Sequence, residues 1–85
     1  MNMIPTQDLF TTCRVINGKK YLSKNNEVFE LDEVGEIVWE SIDGQTPVNH
    51  IVSKISDMYQ MEATVVKRDV ENFLQELLSK QLIEG

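Results

Sequence analysis

The sequence predicts an α+β domain with a winged-helix-like order, three short antiparallel strands followed by three helices. Three observations carry this. Asn-Gly and Asn-Asn pairs punctuate the first third of the chain between stretches rich in β-branched and aromatic residues. From Asp32 onward the apolar period changes from two to the helical spacing. No repeat, low-complexity tract or Gly/Ser linker divides the 85 residues, so they form one domain spanning residues 1–85, with residues 1–8 expected as a flexible arm.

The first strand is read over Leu9 to Ile16 and the second over Lys19 to Ser23. Asn17-Gly18 joins them, because a type I′ turn needs positive φ at both central positions. Asn25-Asn26 makes the next turn, and Glu27 to Leu31 forms the third strand. A period of two places Val28 and Glu30 on one face of it and Glu27, Phe29 and Leu31 on the other, with Phe29 and Leu31 toward the core. Sequential pairing gives the sheet order 1-2-3, which leaves the third strand with an open hydrogen-bonding edge.

Asp32 caps a first helix starting at Glu33, with Val34, Ile37, Val38 and Ile42 as its apolar stripe and Asp43-Gly44 as its stop. Trp39 falls one position off that stripe and is read as core. Thr46-Pro47 opens a second helix as N-cap and first residue, with Val48, Ile51, Val52, Ile55, Met58 and Tyr59 at helical spacing. The third helix runs roughly from Thr64 to Lys80 on Val66, Val70, Phe73, Leu74, Leu77 and Leu78, and Leu82-Ile83 folds back onto the core.

The composition excludes more than it selects. Fourteen acids against eight bases give a formal net charge of −6, which disfavours general affinity for phosphate backbones. The amino terminus has no secretory pattern and no run approaches a membrane span, so the expectation is a cytoplasmic chain with no membrane partner. The single Cys13 cannot form an internal disulfide and is read as a small buried apolar residue. One histidine, His50, makes neither a triad nor a metal site, and it is read as a surface residue. The acids Glu27, Glu30, Asp32, Glu33 and Glu36 are read as a solvated face, and none of the four glycines lies in a phosphate-cradling pattern. The expectation is a protein that is not an enzyme and needs neither cofactor nor metal.

Two binding classes are left. A winged-helix DNA-binding or regulatory protein would use Arg14, Lys19, Lys20 and Lys24 as a basic wing and Lys67-Arg68 on the long helix. Asp69, Glu71 and Glu76 on the same helix oppose it, and no nucleic-acid partner is expected. The alternative is recognition of a peptide that adds as a strand to Glu27–Leu31. Val65 to Leu74 would then lie across the edge as a wall. Val66, Val70 and Phe73 would floor an apolar groove, with Lys67, Arg68 and Asp69 at its rim.

Leu31-Asp32, Val34-Gly35, Val38-Trp39, Asp43-Gly44, Thr46 with Val48, Asp69-Val70, Phe73-Leu74 and Leu82-Ile83 occur in the order of a known pattern. Over residues 18 to 84 the chain resembles the PqqD-like family, the RiPP recognition elements. The resemblance implies three antiparallel strands and three helices, and no catalysis. It also implies a precursor leader peptide as partner, bound against the third strand and third helix and presented to a processing enzyme. Carried onto this chain, it marks Glu27, Val28, Phe29, Glu30 and Leu31 as the pairing edge and Val66, Asp69, Val70, Phe73 and Leu74 as the helix wall. The quinone-cofactor branch typically has a Pro-Glu pair before the third strand, where this chain has Lys24-Asn25-Asn26. The chain is more similar to the stand-alone members of lasso-peptide clusters, which implies a separate leader peptidase. Sactipeptide and other radical-enzyme pathways stay open.

Overall fold

The computed structural model describes residues 3–85. Its elements are β1 (Thr6–Gln7), β2 (Thr12–Ile16), β3 (Lys19–Lys24), β4 (Glu27–Leu31), α1 (Glu33–Ser41), α2 (Val48–Tyr59), α3 (Ala63–Ser79) and β5 (Ile83–Glu84). The main sheet is antiparallel in the order β2-β3-β4, as the meander predicts, while β1 and β5 pair separately. Both hairpin turns have the required backbone. Asn17 and Gly18 sit at φ +52° and +79°, and Asn25 and Asn26 at +52° and +66°.

The register sets the two faces of the sheet. Leu22 of β3 lies opposite Cys13 on one side and Phe29 on the other. Leu22 is fully buried and Leu31 nearly so, so this face meets the helices. The core continues through Val38, Trp39 and Ile42, then Ile51 and Ile55 of α2, then Val66, Val70, Leu74 and Leu77 of α3. Lys20 reaches across to α1, where its Nζ lies 2.8 Å from Glu40 Oε1 and 3.9 Å from Glu36 Oε1. The hydrogen bond to Glu40 holds the Lys20 ammonium above its usual pKa range, despite opposing desolvation.

Four local expectations are corrected. First, residues 3–8 are not a free arm. Pro5 is fully buried, the Gly44 N–H donates to the Pro5 carbonyl at 3.0 Å, and the Val48 N–H donates to the Met3 carbonyl at 2.9 Å. Thr6–Gln7 then pairs with Ile83–Glu84. The remainder of the predicted arm, residues 1–2, lies outside the described residues. Second, β2 begins at Thr12, because Asp8 folds the preceding residues into a turn by accepting from the Phe10 N–H and the Thr11 hydroxyl. Leu9 and Phe10 are consequently exposed.

Third, Cys13 is exposed. It lies on the helix-facing side of the sheet, but all of β2 is exposed, so the face is right and the burial wrong. Fourth, Thr46 does not cap α2. Its hydroxyl donates to Asp43, Pro47 takes the cap position without a side-chain bond, and the helix starts at Val48. Among the helix stripes, Val34 and Met58 also face outward, whereas Trp39 is buried as expected and His50 is exposed as expected.

Candidate peptide-binding edge and groove

β4 is the terminal strand of its sheet, and among the described residues no strand pairs with its outer edge. The two-residue turn before it fixes which backbone groups face outward. A turn of this type bonds the flanking residues, here Lys24 and Glu27, across the hairpin. Antiparallel pairs then alternate between bonded and unbonded, so Glu27, Phe29 and Leu31 direct their N–H and C=O toward β3. Val28 and Glu30 direct theirs to the open side. This edge therefore offers the backbone of two residues to an incoming strand.

The side chains around that edge come from α1, α2 and α3. Asp32, immediately after β4, caps α1 by accepting the Gly35 N–H at 2.7 Å. Gly35 has no side chain where it meets α3, and a Cβ there would lie 3.0 Å from Asp32 Oδ1 and 3.3 Å from Phe73 Cζ. The small residue thus lets the Phe73 ring approach the start of α1. Phe73 also meets Phe29 of β4, with ring centroids 6.0 Å apart and planes inclined at 53°. Lys80 Nζ also lies over the Phe29 ring, 5.8 Å from its centroid.

Two cavities flank this aromatic contact. The first, of about 330 Å³, opens where β4 ends and is lined by Asp32, Val34, Gly35 and Val38 of the α1 region. Tyr59, Met61 and Ile55 close its far side, and Val66, Asp69, Val70 and Phe73 of α3 complete it. The Tyr59 hydroxyl donates to Glu33 Oε2 and so ties the end of α2 to the start of α1 beside the cavity. That bond, reinforced by desolvation, raises the Tyr59 pKa above its usual value. The second cavity, of about 250 Å³, lies where β4 begins, among Leu22, Lys24, Glu27, Val28, Phe29 and Lys80.

Of the helix positions read from the sequence, Val66, Asp69, Val70 and Phe73 do come together on one cavity. Leu74 does not; it is fully buried and serves the core. Phe29 is the strand residue in contact with that wall, while Leu31 is buried beneath it. Val28 and Glu30 turn their side chains to the uncovered sheet face, where Glu30 Oε1 lies 3.8 Å from Lys19 Nζ. Sequence reasoning missed Gly35, Tyr59 and Met61 as lining residues. Helical spacing places Tyr59 on the α2 stripe and gives no signal at Met61, and only the packing of α2 against α3 brings them to the shared cavity. Among the described residues, no group of His, Cys, Asp or Glu side chains is arranged to hold a metal ion.

No curated protein sequence matches the chain. Among solved structures, TbiB1 in complex with the TbiA(beta) leader peptide superposes with a TM-score of 0.82 at 27% identity, over 94% of this chain and 95% of that one. The PqqD truncation of Methylobacterium extorquens PqqCD, described as a functional and stand-alone RiPP recognition element, superposes with a TM-score of 0.80 at 22% identity. That match covers 95% of this chain and 88% of the other, and it concerns the fold. The family model for coenzyme PQQ synthesis protein D (PqqD) matches residues 17–83, from the first hairpin turn through the fold-back after α3, and the chain therefore belongs to the PqqD family.

Proposed function

We propose that this protein is a non-catalytic adaptor that binds the leader segment of a ribosomally synthesised precursor peptide and delivers it to a separate processing enzyme. The leader adds as a strand to β4, pairing with the outward backbone of Val28 and Glu30 within the edge Glu27–Leu31. Its apolar side chains enter the groove lined by Val66, Asp69, Val70 and Phe73. The observation that carries the reading is the open edge of β4 beside a largely apolar cavity. The 27% identical TbiB1, which is in complex with a leader peptide, supports it. The sequence resemblance to the stand-alone members of lasso-peptide clusters favours a lasso-peptide pathway with a leader peptidase as the receiving enzyme. The lone exposed Cys13 thiol and the lack of a membrane-spanning helix among the described residues fit a cytoplasmic setting.

DNA binding draws on the cationic hairpin, but three of its four cations are paired, Lys19 with Glu30 at the sheet surface and two more tightly. Lys20 is bonded to Glu40 and Lys24 to Asp8. The whole chain remains at −6, which opposes approach to a phosphate backbone.

The test is titration of synthetic RiPP leader segments, the TbiA(beta) leader among them, into the wild-type chain and Val28→Pro. The substitution removes an outward N–H without deleting a bond to β3. At least one leader should bind with one-to-one stoichiometry and lose measurable affinity for the proline variant. Failure of every leader to bind overturns the assignment, as does unchanged binding to a folded Val28→Pro protein.

A further inference from the structure

Asp69 is placed unlike the other charges around the groove. Within the cavity of about 330 Å³ the lining is apolar except for Asp32, Asp69 and the Tyr59 hydroxyl, and it includes no lysine, arginine or histidine. Asp32 is engaged in capping Gly35, and Tyr59 in its bond to Glu33. The Asp69 carboxylate is exposed and, among the described residues, has neither a hydrogen bond nor an ion pair. Its sequence neighbours do not neutralise it. Lys67 projects into a different cavity, between the starts of α2 and α3, and Arg68 is exposed a further 100° around the helix from Asp69. The groove thus combines a socket for an apolar side chain with a rim carboxylate that, unlike Asp32, has no bonding partner among the described residues.

Resting on the leader-binding reading above, we propose that Asp69 selects for a lysine or arginine in the bound peptide, placed two residues from the apolar side chain that fills the cavity. The spacing follows from strand geometry. A peptide paired to β4 presents alternate side chains toward α3, and successive ones on that side are about 7 Å apart. A residue two positions from the anchor therefore points to the same wall as the anchor. The long stem of a lysine or arginine spans the remaining gap and covers apolar surface while its charge meets the carboxylate. An acidic residue in that position would face Asp69 with Asp32 and Glu33 close behind, and would be rejected by repulsion. Asp69 is in this sense a specificity determinant, whereas the apolar socket and the β4 edge supply contact common to many sequences.

The experiment is selection of a random peptide library, each peptide about a dozen residues long and so able to overrun β4 at both ends, against the full chain and Asp69→Lys. Wild-type protein should enrich peptides with an aromatic or aliphatic anchor and a lysine or arginine two positions away. Asp69→Lys should enrich aspartate or glutamate at that position while keeping the anchor. For one selected peptide, Asp69→Asn and replacement of the peptide's base by glutamine should each weaken binding about 3- to 10-fold at low salt and show coupling in a double-mutant cycle. Enriched peptides with an anchor but no charge preference, or a cycle without coupling, overturn this proposal and leave the leader-binding reading standing. No enrichment at all, or enriched peptides that bind Val28→Pro equally well, overturns both.

Discussion

Asp8 shows how one side chain holds a segment with no regular pattern of its own. Its carboxylate accepts from the Phe10 N–H at 3.0 Å and the Thr11 hydroxyl at 3.0 Å, and lies 3.1 Å from Lys24 Nζ. Desolvation pushes its pKa up, but the bond to Lys24, the bonds from Thr11 and Phe10, and the Lys24 charge together outweigh it and hold the pKa below the ordinary value of 3.8. A carboxylate depressed by folding contributes stability that is fully present above its unfolded pKa and is lost as pH falls through the folded one. The wild-type chain is therefore expected to lose more stability than Asp8→Asn as the pH is lowered from neutral through and below about 4. The difference between their denaturant midpoints across that range is the measurement. Asp43 and Glu40 are also held low, by backbone N–H donors and by Lys20 respectively, but they act equally in both proteins and cancel from the difference. A difference that does not vary with pH would remove Asp8 from this role.

At the scale of the elements, the hairpin turn before β4 dictates which of its residues bond to β3 and which face out, and stability can check that assignment without any ligand. Phe29→Pro deletes a donor to β3 and the ring that meets Phe73, and is expected to cost about 3–5 kcal/mol or more. Val28→Pro changes an exposed side chain and a donor facing the open side, so only the backbone adjustment to the proline ring remains, about 1–2 kcal/mol. Urea unfolding of both variants checks this, and equal losses would mean the bonded positions have been exchanged. The turn itself was legible in the sequence, since Asn25 and Asn26 tolerate positive φ. So were all three helices to within a residue or two, through stripes such as Val66, Val70 and Leu74. The cavity was legible only in part. Helical spacing revealed its α3 wall, but Gly35 and Tyr59 join it from α1 and α2, and no local periodicity encodes which helix faces meet. The start of α2 differs for a related reason, because Thr46 donates its N–H and its hydroxyl back to Asp43 and so belongs to the preceding turn, leaving the cap position to Pro47.

The whole molecule is closed by its two ends, and this is the part of the fold least visible in the sequence. β1 and β5 are two residues each, too short for any alternation to register, and their pairing joins positions that are nearly the full chain apart. Their consequences are nonetheless distributed widely. The N-terminal segment supplies the carbonyls of Met3 and Pro5 to the N–H groups of Val48 and Gly44, one of them an otherwise unpaired donor at the start of α2. Gln7 Nε2 donates to the Trp39 carbonyl at the end of α1, and the Asp8 N–H donates to the Leu82 carbonyl. One short segment thus bonds along the α1–α2 junction, from the end of α1 to the start of α2, and to the chain's return after α3. It does so away from β4, which leaves the proposed peptide edge open. Removing residues 1–8 uncovers the surface that Pro5 covers and leaves the Val48 and Gly44 N–H groups and the Leu82 carbonyl to water, and it should lower stability by about 2–4 kcal/mol, from several bonds at roughly 1 kcal/mol each and the lost burial. Chemical denaturation of the truncated chain measures that loss. Because β4, α3 and the cavity beside them lie outside the deleted segment, leader affinity should persist at temperatures where the truncated chain is still folded. A truncated chain as stable as the full one would mean the N-terminal segment only rests on the domain. A folded truncated chain that no longer binds would place the peptide site at the N-terminal segment and away from β4.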